Sequence, residues 1–90
     1  MSVKIDVYPG LAHLTGGQKI VEVDGNTVGQ CLEQLVKLYP DIKGWLYRKN
    51  GKLASHIEIW VNQKTSYPEE LTVPVKDGDE LRMLGLMILG

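Results

Sequence analysis

A single thiol, Cys31, and two imidazoles, His13 and His56, are the first places to look for side-chain chemistry in this sequence. Cys31 falls on the apolar stripe of a helical pattern. A nucleophilic cysteine needs an electropositive, partly exposed setting, so an inert core thiol is the expectation. Neither histidine has a second His or Cys at ligand spacing, and no metal site is expected. Thr15-Gly16-Gly17 has the glycines of a phosphate loop without the Lys-Ser pair or the helix start that such a loop needs. Asp77 and Asp79 around Gly78 read as a turn rather than a cation loop. Lys43, Arg48, Lys49 and Lys52 form a basic cluster, which reads as a solvated loop or a docking surface. No nucleophile stands beside a base, and no carboxylate pair sits in a recognisable motif. Catalysis by a side chain is not expected.

The backbone offers another group. After Glu80-Leu81-Arg82-Met83-Leu84, the chain stays apolar through Gly85, Leu86, Met87, Ile88 and Leu89 to Gly90. One reading makes this a long buried strand. The other makes it a docking tail that enters a partner's channel and presents the carboxylate of Gly90. Glycine suits that end, because without a Cβ it lets another backbone or a reactive group approach closely. Trp60, on the opposite strand face from Ile57, Ile59 and Val61, is a candidate interface residue.

These groups must be positioned by very little protein. Ninety residues, with 43% hydrophobic and 23% charged, suit one small domain over residues 1–90, whose thin core leaves little room for a deep pocket. Ten basic against 11 acidic side chains give a formal charge of −1, so neither nucleic acid nor an anionic membrane is an expected partner. A lone cysteine excludes an internal disulfide and fits a reducing compartment. The first residues lack the apolar run of a signal peptide, and the apolar tail is too short to span a bilayer; a cytoplasmic location is the expectation.

Val3 to Tyr8 and Lys19 to Val23 read as strands joined through Pro9-Gly10 and Thr15-Gly16-Gly17. Thr27-Val28-Gly29-Gln30 reads as a capping box in which Gln30 reaches back to the N–H of Thr27. The helix behind it carries Val28, Cys31, Leu32, Leu35, Val36, Leu38 and Tyr39 on one stripe and stops at Pro40. Asp41 to Ser55 is irregular, with a turn at Asn50-Gly51. His56 to Asn62 is a third strand, Asn62-Gln63-Lys64 a turn, Tyr67 to Val75 an extended connection, and Glu80 to Leu84 the last strand. The fold class is α+β: a mixed sheet packed on one main helix. The first and last strands are free to pair in parallel at the sheet centre, as in the β-grasp arrangement, although periodicity does not establish it.

Gly25-Asn26-Thr27-Val28, the helix closed by Tyr39-Pro40, the strand Ile57–Asn62, and Val75-Lys76-Asp77-Gly78-Asp79-Glu80-Leu81 ahead of an apolar tail together resemble the MoaD/ThiS family of ubiquitin-like sulfur carriers. The resemblance spans nearly the whole chain and is nearest to the small subunit of molybdopterin synthase. It implies a β-grasp fold and a carrier role, with no cofactor bound. Gly90 would be adenylated by a ubiquitin-activating-like enzyme that uses ATP, then converted to a thiocarboxylate. Sulfur would pass to the large subunit of a molybdopterin synthase-like complex or to another sulfur-acceptor enzyme, with residues 85–90 as the docking tail. The family usually ends in two glycines, and this chain has Leu89 before Gly90. A thiamine-type sulfur carrier and a non-catalytic β-grasp interaction module without sulfur chemistry remain the alternatives.

Overall fold

Alternation of apolar and polar residues makes Ser2–Asp6 a strand (β1) that buries Val3 and Ile5, in a computed structural model that describes residues 2–85. Ile20–Asp24 (β2) runs antiparallel to it, with Ile5 opposite Val21 and Asp6 opposite Ile20. The link between them is more ordered than its glycines imply. Pro9–Thr15 winds into 3-10 helix and ends at Gly16, whose φ of 62° favours glycine. Leu11 and Thr15 are buried within it, and the Thr15 hydroxyl lies 2.8 Å from the Gln18 carbonyl. Such a turn has neither the period of a strand nor that of an α-helix, so periodicity misses it.

Helix α1 spans Val28–Leu38, and its N-cap is Thr27, whose hydroxyl accepts the Gln30 N–H at 3.1 Å. Gln30 reaches one residue further back than a capping box requires: its Oε1 accepts the N–H of Asn26 at 2.8 Å. Val28, Cys31, Leu32 and Leu35 are buried, while Leu38 is 55% exposed and leaves the expected stripe. The chain turns at Tyr39-Pro40, and Ile42 rather than Leu38 fills the core beyond the last helical turn. Gly29 inside α1 has a packing reason. A Cβ there would lie 2.7 Å from the Leu71 carbonyl oxygen, so glycine lets the later connection lie directly on the helix.

The stretch after α1, expected to be irregular, holds a one-turn helix, α2 (Lys43–Leu46), and an isolated bridge between Tyr47 and Leu53 around the Asn50-Gly51 turn. It sends Leu46, Leu53 and Ala54 into the core. Ile57–Val61 (β3) and Lys64–Thr65 (β4) form a hairpin. Its loop is Asn62-Gln63 alone, both at positive φ (47° and 73°), and Lys64 belongs to β4 rather than to the turn. Paired left-handed residues match the twist of a tight hairpin. The connection from Tyr67 to Val75 is not simply extended, because Glu70–Thr72 forms a 3-10 turn. Its end pairs with the start of α1, through Val28 N–H to the Val73 carbonyl and Val75 N–H to the Asn26 carbonyl, both 2.9 Å.

Glu80–Gly85 (β5) completes a five-stranded sheet in the order β2-β1-β5-β3-β4. β5 runs parallel to β1, with Ile5 opposite Leu81, and antiparallel to β3, with Ile59 opposite Met83. The inward residues of these strands pack against α1, while Val61, on the face of Ile57 and Ile59, and Tyr39, on the helix stripe, are only partly buried against the core. This is the β-grasp arrangement, and its last strand lies between two neighbours at the sheet centre.

Candidate functional site

The site is built around β5, because this strand delivers the chain toward Gly90. Its entry is the turn Lys76–Asp79. Gly78 sits at φ 88°, where a side chain is strained, and its N–H donates to the Ser2 carbonyl at 2.8 Å. Asp77 Oδ1 accepts the Ser2 N–H at 2.7 Å. The buried Asp79 accepts from Asn62 Nδ2 and from the Lys76 N–H, both at 2.9 Å. Asn62 Oδ1 in turn accepts the Glu80 N–H at 2.9 Å. The hydrogen bonds from Asn62 and Lys76 favour the charged form and hold the Asp79 carboxyl below its ordinary range. The two aspartates therefore fasten the start of β5 to β1 and to the β3–β4 hairpin. Sequence reading identified the turn and missed the Asn62 clamp; an asparagine beside a strand end was the available signal.

Among the described residues, no helix covers the outward face of the sheet. A shallow hollow of about 650 Å³ there is bordered by Ile20, Trp60, Leu84 and Arg82. Trp60 is half-buried, stands opposite Arg82 in the register, and donates from its indole N–H to Glu58. Arg82 Nε lies 3.8 Å from Asp6, which also pairs with Lys19 at 3.1 Å. The face combines a few apolar side chains with charges of both signs, a composition suited to a protein surface that opens and closes.

At the other end of β5, Gly85 is half-buried and pairs with Ile57, so this residue of the expected tail belongs to the sheet. Leu86, Met87, Ile88, Leu89 and Gly90 lie outside the described residues.

Among the other candidates, His56 lies one residue before Ile57, the partner of Gly85. Cys31 is fully buried, and burial, with a smaller contribution from the Asp24 charge, pushes its thiol above the ordinary range. That environment opposes thiolate formation. His13 is exposed on the 3-10 helix and His56 is half-buried before β3. Among the described residues no cluster of three or more His, Cys, Asp or Glu is placed to hold a metal ion. Gly16 and Gly17, at φ 62° and 80°, end the 3-10 helix as a turn. Lys43, Arg48, Lys49 and Lys52 are exposed; Arg48 Nε donates to the Leu53 carbonyl at 3.1 Å. A second hollow of about 710 Å³ places Arg48 and Lys52 near Glu58, Glu69 and Glu70, so its border is mixed in charge.

The sheet order, the parallel β1–β5 pair and the helix across one face define a ubiquitin-like β-grasp fold. The chain belongs to the ThiS family, whose profile matches residues 6–86. It is 32% identical over 79 residues to small archaeal modifier protein 1 of Haloferax volcanii, covering 86% of this chain and 87% of that one. It is 31% identical over 87 residues to the sulfur carrier protein CysO of Mycobacterium tuberculosis, covering 93% and 94%. Among solved structures, a chain of the Amycolatopsis orientalis BexX/CysO complex superimposes with a TM-score of 0.87 at 31% identity, covering 98% of this chain and 99% of that one.

Proposed function

We propose that this chain carries sulfur as a thiocarboxylate on Gly90. The observation that supports this most is the placement of β5. The central strand is clamped at its entry by Asp79 and Asn62 and is paired on both sides, and the sequence runs on from Gly85 through five more residues to Gly90. Among the described residues no nucleophile is placed beside a base in a recognisable constellation. A ubiquitin-activating-like partner would bind the outward sheet face and the segment 86–90. There the Gly90 carboxylate attacks the α-phosphorus of ATP and releases pyrophosphate. A persulfide donor then displaces AMP from the acyl-adenylate, and a second thiol cleaves the new S–S bond to leave the thiocarboxylate and a disulfide. The relatives named as sulfur carriers, and the complex in which one of them was solved, support a carrier that works with enzyme partners. The large subunit of a molybdopterin synthase-like complex is the acceptor to test first, and a thiamine-type acceptor is the second.

A second reading has its own support: the Haloferax relative is named a modifier protein. The same acyl-adenylate, attacked by a lysine amine instead of sulfur, gives an isopeptide conjugate.

Removing Gly90 tests the proposal. With the cognate activating enzyme, wild-type protein supports ATP–pyrophosphate exchange, and the shortened chain still binds the enzyme but supports none. Exchange at the wild-type rate without Gly90, or none by wild-type protein that binds the enzyme, contradicts it.

A further inference from the structure

Glycine within a sheet loses side-chain packing and costs backbone entropy, so one at a half-buried strand position marks a left-handed backbone or a close approach. Among the described glycines, positive φ occurs at Gly16, Gly17, Gly51 and Gly78, and not at Gly10 or Gly85. Close approach explains those two, and the same side chain makes both contacts. A Cβ on Gly85 would lie 2.6 Å from Cζ of Tyr8 and within 2.8 Å of both ring Cε atoms. A Cβ on Gly10 would lie 2.5 Å from Tyr8 Cε2. The ring of Tyr8 therefore lies between two bare Cα atoms, one just after β1 and the other at the end of β5.

The parallel register brings them together. The paired register ends with Asp6 opposite Arg82; Tyr8 follows two residues beyond β1, before the 3-10 helix, and Gly85 lies three residues beyond Arg82. Gly85 continues the alternation of Leu81 and Met83, whose side chains are buried, so the ring occupies core-side space that any other residue at position 85 would fill. The ring is partly buried against the core.

We infer that Tyr8 is a positioning residue for the carrier chemistry: its ring seats Gly85 and fixes the direction in which the chain leaves β5 toward Gly90. The inference rests on the reading that Gly90 is the activated residue. Ordering the exit in advance lowers the entropy lost when an enzyme captures residues 86–90. The benefit belongs to binding rather than to the chemical step.

The experiment compares Tyr8→Phe, Tyr8→Ala, Gly85→Ala and the Tyr8→Ala/Gly85→Ala pair in adenylation by the activating enzyme. Tyr8→Ala raises KM for the carrier roughly tenfold with kcat within about twofold, and Tyr8→Phe restores the wild-type value. Gly85→Ala displaces the ring and raises KM similarly, and the double variant is no worse than either single one, as for two residues acting through one contact. NMR supplies a readout independent of activation. In wild-type protein the Tyr8 ring current shifts the Gly85 Hα resonances. In Tyr8→Ala that shift disappears and fast backbone motion rises at Gly85, while amide protection of the β1–β5 pairs is retained. Unshifted Gly85 Hα resonances, or unchanged Gly85 motion in Tyr8→Ala, overturn the inference even if no activation is seen. A wild-type KM for Tyr8→Ala overturns it when activation is intact, whereas a wild-type chain that binds the enzyme without being activated defeats the functional reading instead.

Discussion

The two ends of β5 are held by different physics. At the entry, Asp77, Asp79 and Asn62 accept or donate through oriented hydrogen bonds that tie three separate segments together. At the exit, Gly85 is held by its ladder partner Ile57 and by contact with the Tyr8 ring. Hydrogen bonds to a buried carboxylate are directional and costly to leave unmade, so the entry admits one geometry. Contact with a ring is short-ranged and only weakly directional, so beyond the backbone pairing the exit is seated by shape alone. Under the proposed function, the hydrogen-bonded entry is the fixed root from which the sequence runs on to Gly90.

Loss of Gly90 is the largest effect expected from this contrast, since it removes the residue proposed to react while leaving both described ends of β5 intact. ATP–pyrophosphate exchange falls to background, and the thermal midpoint stays at the wild-type value. Asp79→Ala acts at the entry and does the reverse. It leaves Asn62 Nδ2 and the Lys76 N–H without their acceptor, and urea unfolding should show a loss of about 2 kcal/mol. Activation per folded molecule is retained. If Asp79→Ala leaves stability unchanged, the entry is not a clamp and the contrast collapses.

Acid sharpens the same point. The folded pKa of Asp79 is lowered, so folding favours its ionised form, and this contribution is complete above the unfolded carboxyl value of about 4. It is lost as pH falls through the lower folded value. Asp79→Asn therefore flattens the acid limb of a stability–pH curve below about pH 4 without altering its neutral plateau shape. An unchanged acid limb would show that Asp79 is not selectively held in its charged form. The smallest effect belongs to the far end. Leu89→Gly restores the paired glycines usual in the family, and steady-state adenylation stays the same or improves. A strongly reduced rate would make Leu89 a specific contact of the enzyme.

Much of this arrangement was legible in the sequence because it rests on strong local patterns. Val3 and Ile5, Ile57 and Ile59, and Leu81 and Met83 alternate, and Thr27 with Gln30 marks the helix start. The Asp77-Gly78-Asp79 turn was visible for its glycine. What escaped depends on pairs far apart in the chain or on short turns without a period. Asn62 meets Asp79 across 17 positions, and Tyr8 meets Gly85 only because β1 and β5 run side by side. Leu38 was misassigned for a related reason: its helical phase is apolar, but Ile42 fills the core past the end of α1. The β-grasp pairing itself came from resemblance, since alternation says which face of a strand is buried and not which strand lies beside it.

Intact-mass spectrometry tests the central claim most directly. Wild-type protein is incubated with its activating enzyme, ATP and a persulfide donor, with a parallel sample lacking Gly90. The account predicts that the wild-type mass rises by the difference between sulfur and oxygen, that fragmentation places the gain on Gly90, and that the shortened chain is unchanged. An unaltered wild-type mass with an activating enzyme shown to bind it, or the same gain placed on any other residue, would contradict the account.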